Sequence, residues 1–393
     1  MHSVVILSAQ RTAIGGFLGS LSSFSPADLG TYAAKAAIAK ANIEAQAIEH
    51  SVFGHIITTS AADAYLARDI ALQSGMSTTS SAMNVNRLCG SSIQAIISAF
   101  QMLVLGDCQL ALAGGAEVMS KGAFIMPNIR KGLRAGHAEV TDLTLGILSD
   151  PFGSGHMGMT AELVAQQYGL SREELDEYSL RSQQKAALAI NQERFTDQIV
   201  TIPVPKSRDT APFHTDEHVK TNITIEQLQA LRPAFDKNGI VTAGNSSGLN
   251  DGAAALVLAT EQFAKTHGLQ PLAKILGYSF SGVDPNVMGL GPIPAVQKLL
   301  EKFNLNVLDI DVIESNEAFA AQAIAVAKTL RFQDQQLNPN GGAIALGHPV
   351  GATGAILLTK VVYELARTSQ RYGLVTMCIG GGQGIAILLE RTT

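Results

Sequence analysis

Two thiols and one imidazole stand out in this chain, each set among small residues that bring the backbone close to whatever binds there. Asn86-Arg87-Leu88-Cys89-Gly90-Ser91-Ser92 runs into an apolar stretch from Ile93 to Leu105. That stretch is apolar on most faces, which predicts a helix buried at the centre of a fold. A cysteine at its start would feel the positive end of the helix dipole, worth about 0.3–2 kcal/mol to an anion. An ordinary thiol, with a pKa of about 8.5, is only about 3% thiolate at neutral pH. The dipole therefore helps but does not make a nucleophile, and a histidine is needed as base and counter-ion.

His348 offers that base. It stands in Asn340-Gly341-Gly342-Ala343-Ile344-Ala345-Leu346-Gly347-His348-Pro349-Val350-Gly351-Ala352-Thr353-Gly354, where five glycines imply special dihedrals and close approach of a ligand. Core histidines rarely occupy so restricted a frame. Cys378 follows a strand and opens Cys378-Ile379-Gly380-Gly381-Gly382-Gln383-Gly384. Its amides could form an anion-binding nest. A phosphate loop is the competing reading, but GxxxxGK[ST] is missing and no helix-forming segment follows. Asn316, in Glu314-Ser315-Asn316-Glu317-Ala318-Phe319-Ala320, could offer its amide to an oxyanion or hold a water. Equally, it could be a plain helix N-cap. No metal-ligand spacing stands out, so no metal site is expected.

These residues need elements to carry them. Val4-Val5-Ile6-Leu7 reads as a first strand, and Ala27 to Ala41 as a helix with Ser25-Pro26 at its start. Leu110-Ala111-Leu112-Ala113 reads as a strand closed by Gly114-Gly115. Strands alternating with alanine-rich helices predict an α/β fold with mostly buried sheets. A weak repeat runs through it. Asn84-Val85-Asn86, Cys89, an apolar helix, a strand and a glycine pair come in one order. Asn338-Pro339-Asn340, His348, the helix Ala355 to Leu365, the strand Leu374 to Met377 and three glycines come in the same order. Two related α/β halves are expected about a pseudo-twofold axis, with Cys89 and His348 at corresponding helix starts facing one cleft.

The stretch from about Val118 to Gly248 departs from the pattern and is expected to be an inserted loop domain. It carries Lys121, Arg130, Lys131 and Arg134, and a charged helix around Ser171 to Lys185 with the capping box Ser171-Arg172-Glu173-Glu174. That helix reads as ordinary solvated surface, and Met119, Met126, Met157 and Met159 read as core filler. The expected division is 1–118 with 249–270, an insertion 119–248, and 271–393.

Composition narrows the function. A length of 393 residues suggests two or three domains. Apolar residues at 46% against 16% charged fit a large, well-buried and multimeric globular protein. A net charge of −5 gives no reason to expect nucleic acid or an anionic membrane as partner. No unbroken apolar run reaches the ~18 residues of a membrane span, and the N-terminus lacks the pattern of a signal peptide. Three cysteines without CxxC spacing argue against disulfides and point to a reducing, cytoplasmic setting. Cys108, in a polar turn, receives no role.

Taken together, Cys89 in NRLCGSS, Asn316 in NEAFA, His348 in GHPVGATG and Cys378 in CIGGG resemble the thiolase family. His156-Met157-Gly158-Met159-Thr160-Ala161-Glu162 and Asn245-Ser246-Ser247-Gly248-Leu249-Asn250-Asp251-Gly252 resemble further family segments, so the likeness runs from Val4 to Glu390. It implies two α/β halves in a layered α-β-α-β-α arrangement with an inserted loop domain. It also implies acyl transfer between coenzyme A thioesters, here acetyl-CoA to acetoacetyl-CoA. Cys89 would be the nucleophile, His348 its base and Cys378 the base that removes a proton from the second substrate. One oxyanion would be held by His348 and a water fixed by Asn316, the other by the amides of Cys89 and Gly380. Ser247, His156 and Met157 would line the pantetheine tunnel, and Lys220 would lie near the nucleotide. No cofactor beyond the CoA thioester substrates is required, and Gly122 to Val140 resembles a loop that builds a homotetramer, a dimer of dimers.

Three rivals follow. A 3-ketoacyl-CoA thiolase of broader chain length shares every catalytic residue, although Met288 and Phe235 look like side chains that shorten the acyl pocket. A ketoacyl synthase would carry a histidine where this chain has Asn316 and would lack Cys378. A non-catalytic CoA- or lipid-binding protein of the same fold would be expected to have lost Cys89, His348 or Cys378.

Overall fold

The computed structural model describes residues 2–206 and 209–392. Nine strands form the spine of a mixed sheet: β1 Val4–Thr12, β2 His50–Gly54, β3 Ser81–Val85, β4 Leu110–Val118, β5 Asn250–Thr260, β6 Ala273–Gly282, β7 Val312–Ser315, β8 Tyr372–Ile379 and β9 Gln383–Arg391. Their order is β7-β8-β9-β6-β1-β5-β4-β2-β3. The helices that matter here are α1 Pro26–Lys40, α2 Leu66–Gln73, α3 Ser91–Leu105, α4 Met157–Gln167, α5 Arg172–Asn191, α6 Pro292–Phe303, α7 Ala320–Leu330 and α8 Thr353–Thr368.

The weak sequence repeat becomes a repeat in strand pairing. β1 pairs antiparallel with β5, and the register slips between Ile6 and Ser8. β6 pairs antiparallel with β9, and the register slips between Ile275 and Gly277. From there β5–β4 and β9–β8 are antiparallel, while β4–β2 and β8–β7 are parallel. The halves join where β1 meets β6. Matching the two bulges places Ala116 of β4 opposite Cys378 of β8 in the repeat, and Phe53 of β2 opposite Ser315 of β7.

Alternation along each strand feeds two layers. In β1, Val4 and Ile6 face the central helices α3 and α8, whereas Val5 and Leu7 face α1 and α2. Beyond the other half, α6 and α7 cover Leu374, Ala386 and Leu388. The layers run helix, sheet, helix, sheet, helix, with α3 and α8 in the middle. Ile93 and Ile96 are fully buried there, and truncating either to alanine is expected to cost about 2–5 kcal/mol. The 18-residue stretch Leu88–Leu105 is apolar enough to cross a bilayer by composition, but its place is this inner layer.

Two expectations are corrected. Gly114-Gly115 does not close a strand, because β4 runs on to Val118. A Cβ at Gly114 would lie 2.1 Å from the Ala254 carbonyl oxygen, and one at Gly115 2.2 Å from that of Gly351. The pair is there to let backbones approach. Nor is α5 a solvated helix. Ser171 caps it through the expected box with Glu174, but Leu175, Asp176, Ser179, Ser182, Gln183, Ala186 and Ala189 are buried. Of the four methionines, Met119 and Met157 are buried and Met126 is exposed.

Candidate active site

The sequence around Cys89 folds into a tight elbow. Leu88 adopts a left-handed φ of 46°, an uncommon conformation for a branched side chain. The Asn86 side chain accepts from the Leu88 N–H, and the Ser91 hydroxyl donates to the Leu88 carbonyl. Gly90 is required because a Cβ would strike the Ile379 side chain at 2.5 Å. The elbow delivers Cys89 just ahead of α3, whose first residue is Ser91. The Gly380 amide and the amide of Cys89 itself point at the sulfur and favour its thiolate. Burial outweighs them, so the thiol is held above its ordinary range, and the Glu117 charge adds to the rise.

His348 is buried and locked from three sides. Gly347 reaches φ +108°, and a Cβ there would sit 2.5 Å from the Asn250 side chain. Asn250 Oδ1 accepts from the His348 N–H at 2.9 Å. The ring Nδ1 lies 2.6 Å from Thr353 Oγ1, and that hydroxyl in turn donates to the Pro349 carbonyl at 2.9 Å. A threonine has one hydroxyl proton, so with that proton on Pro349 the ring must donate from Nδ1. Nε2 then carries the ring's lone pair. Asn316 Nδ2 lies 3.4 Å from that Nε2. Burial lowers the imidazole to about 4, so it is neutral at neutral pH.

Cys378 is the next-to-last residue of β8, beside a turn in which Gly381 and Gly382 both have φ +79°. A Cβ on Gly382 would lie 2.3 Å from the Val283 carbonyl oxygen. Burial pushes the Cys378 thiol far up, and the neighbouring Cys89 adds to the shift. The turn returns directly as β9, so the phosphate-loop alternative does not apply.

One cavity of about 430 Å³ gathers these groups. Cys89, His348, Cys378 and Gly380 line it, as do Ser247, His156, Met157 and Lys220. His156 stacks on Phe235 with ring centroids 4.7 Å apart, and Phe235 meets Phe319 edge-on. His156 is shifted down by burial. Lys220 is exposed, at the mouth. Asn316 is not on the wall: it is fully buried, next to the His348 ring, and its Oδ1 has no hydrogen-bond partner among the described residues. It is not a helix N-cap either, since that position before α7 belongs to Phe319. Cys108 lies outside the cavity, buried in the central core, its thiol raised to about 11 by burial.

Several supporting residues escaped sequence reasoning. Glu317 is buried and accepts from Tyr178 and Asn338 on one oxygen, and from Ser182 and the Ile344 amide on the other. It thereby ties the Asn316 turn and the 342–344 segment to α5. Glu314 pairs with Lys360 of α8 at 2.6 Å, and Lys360 also donates to the Gly341 carbonyl. Burial raises Glu314 to about 7 despite that partner. The available signal was a set of acids and hydroxyls on segments otherwise destined for the core.

Similarity to known proteins agrees with this geometry. Residues 4–262 match the thiolase N-terminal domain and residues 269–391 the thiolase C-terminal domain. The chain is 50% identical to a beta-ketothiolase, BktB, of Cupriavidus necator, over 99% of both chains. It is 47% identical to an acetyl-CoA acetyltransferase of Escherichia coli over the full length of both. The crystal structure of the Bacillus anthracis acetyl-CoA acetyltransferase superposes with a TM-score of 0.98 at 43% identity, covering 100% of this chain and 99% of that one. Human mitochondrial 3-ketoacyl-CoA thiolase does so with a TM-score of 0.97 at 39% identity, with the same coverage. With both domains matched in order and the elbow, the imidazole and the second thiol around one cavity, the chain belongs to the thiolase family.

Proposed function

We propose that the protein is an acetyl-CoA C-acetyltransferase that joins two acetyl-CoA molecules into acetoacetyl-CoA and free CoA, reversibly, through an acetyl-cysteine. The observation that carries this reading is the convergence of Cys89, His348 and Cys378 on one cavity. Cys89 attacks the thioester carbonyl and passes its proton to His348 Nε2. The tetrahedral oxygen lies against the amides of Cys89 and Gly380, donors of a kind that contribute about 3–4 kcal/mol each. As the intermediate collapses, CoA leaves and takes the Cys378 proton. Acetyl-Cys89, an imidazolium and a Cys378 thiolate remain.

The second acetyl-CoA then enters. A thiol held so far above its ordinary range gives a strong base once ionised, and Cys378 removes the α proton. The enolate oxygen receives a hydrogen bond from the His348 Nε2–H, with a water fixed by Asn316 as a second donor. The α carbon attacks the acetyl carbonyl, Cys89 leaves and recovers its proton from His348. Each group returns to its starting state, and no redox change occurs.

The division of labour follows the halves. Residues 1–118 with 249–270 carry the nucleophile, 271–393 the two bases and Asn316, and 119–248 the wall that receives CoA. Ser247, His156 and Met157 suit the pantetheine arm. Lys220 suits a phosphate, as a point charge without the fork of an arginine. Exposed Phe124, Ile129, Leu133 and Val140 support assembly through this insertion into a tetramer, and the three free cysteines suit a cytoplasmic enzyme.

Met288, Phe235 and Phe319 crowd the cavity near Cys378 and favour a short acyl group. The similarity to human mitochondrial 3-ketoacyl-CoA thiolase keeps a broader 3-ketoacyl-CoA substrate in view. Thiolysis of acetoacetyl-CoA and of 3-ketohexanoyl-CoA, compared by kcat/KM, tests the assignment. We expect the shorter substrate to be preferred; equal or better use of the longer one overturns the acetyl specificity.

A further inference from the structure

Outside the cavity, the N-terminal half holds a second buried charged cluster that the mechanism does not use. Glu117, near the end of β4, is fully buried. One of its oxygens accepts from the Gly351 and Ile56 amides at 3.0 and 3.1 Å, the other from the Ile57 amide at 3.1 Å. His55 Nδ1 bonds the Ala116 carbonyl at 3.0 Å and lies 3.0 Å from the same carboxylate, while its Nε2, with no hydrogen-bond partner among the described residues, lies 3.5 Å from Asp63. Asp63 is held in turn by the amides of Thr59 and Ser60. The fit against the next loop is close: a Cβ on Gly351 would sit 2.4 Å from the Glu117 oxygen and 3.2 Å from the His55 Cα.

Gly351 is the third residue after His348, so Glu117 grips the loop of the base from the half that supplies the nucleophile. Ile56 and Val350, on either side of this grip, both line the cavity. The charge of this buried carboxylate also acts on Cys89, whose thiolate it opposes. We propose that His55 and Glu117 are a positioning pair: the carboxylate fixes the His348 loop through Gly351, and the His55 imidazolium cancels the charge that would otherwise suppress the Cys89 thiolate. Burial works against a charged ring, but Glu117, Asp63 and the Ala116 carbonyl together raise His55 to about 10. The ring is therefore cationic throughout the neutral range. The groups facing it are Glu117 from β4 and Asp63 from the 3₁₀ turn Ala61–Tyr65; those facing Cys89 are His348, Cys378 and Glu117.

The proposal rests on the thiolase reading for its effect on turnover, but its decisive readout does not. The rate of Cys89 alkylation by iodoacetamide, followed against pH, reports the thiol whatever the substrate. In His55→Gln the alkylation curve is expected to move up by about one pH unit or more. Its kcat should fall on the order of a hundredfold, with KM changed much less. Glu117→Gln should move the curve the other way and still lower kcat, because the Gly351 tether weakens. The double variant should return the curve to the wild-type position. If His55→Gln does not fold, Glu117→Gln alone decides. An unmoved alkylation curve in the variants that fold, or a loss of kcat that merely follows a loss of Tm, overturns the proposal. A shifted curve in an enzyme that turns over no acetyl-CoA would uphold the pair and overturn the function instead.

Discussion

The two halves share strand order, bulges and central helices, and both line the cavity, yet matched strand positions open onto it in one half and are sealed in the other. At matched positions the N-terminal half has Ala116 where the C-terminal half has Cys378. One residue beyond the matched pair Phe53 and Ser315, it has Gly54 where the other has Asn316. Ala116 is sealed under Gly30 and Ile70 of α1 and α2, whereas Cys378 opens onto the cavity. A Cβ at Gly54 would lie 2.6 Å from the Ser91 backbone. There the helix start that presents Cys89 occupies the space that Asn316 uses in the other half. The comparison teaches that chemistry here is asymmetric packing on a symmetric frame. One half brings its central helix in close behind Cys89, and the other leaves room beside the His348 loop for Asn316 and Cys378.

That contrast can be broken or sharpened by substitution. Cys89→Ala should abolish acyl transfer, a loss of about ten-thousandfold or more in kcat, read by the spectrophotometric thiolysis assay. Cys378→Ala should slow acetyl transfer to Cys89 only modestly, because the CoA thiolate can leave without the Cys378 proton, while condensation, which needs Cys378 as base, falls about 10²–10⁴-fold. Equal losses in both half-reactions would contradict separate roles for the two thiols. Asn316→Ala should lower kcat about a hundredfold, more than it changes KM. Gly54→Ala should destabilise the fold by about 1–3 kcal/mol, read in denaturant midpoints, because the Cys89 elbow cannot retreat.

The pH dependence separates two pictures of the resting site. Burial lifts the Cys89 thiol and lowers His348 to about 4. Both shifts favour the neutral forms, so at neutral pH the pair rests as thiol and imidazole. Iodoacetamide should therefore alkylate Cys89 at a rate that climbs with pH into the alkaline range. A flat profile across the acid and neutral range would mean a preformed thiolate–imidazolium pair. The same sign governs stability. A buried neutral histidine must take up a proton as the chain unfolds, so its stabilising contribution is present above the ordinary histidine range and is lost as pH falls toward about 4.

The residues of the site were legible because each breaks a local rule. A cysteine before a glycine at a helix start, a histidine between glycine and proline, and a thiol before three glycines have no simple reading as core. The repeat was legible only as an order of elements; its exact register appeared in the paired bulges. What stayed hidden was support given by polar groups inside the core. Ser182 and Gln183 on α5 looked like solvent-facing residues because their partners, Glu317 and the Ile344 carbonyl, lie far away in the chain. Gly114 and Gly115 looked like a strand end because the backbones they admit, at Ala254 and Gly351, are equally remote. A periodicity reads burial from hydrophobicity and cannot see a hydrogen bond made across well over a hundred residues.

The most direct measurement is an intact-mass and peptide-mapping experiment after incubation with acetyl-CoA alone. One acetyl group should appear on the Cys89 peptide, persist in Cys378→Ala, form slowly in His348→Ala and be missing in Cys89→Ala. An adduct that survives Cys89→Ala, or no adduct on the wild-type enzyme, would contradict the claim that the two thiols and the imidazole form one acyl-transfer site.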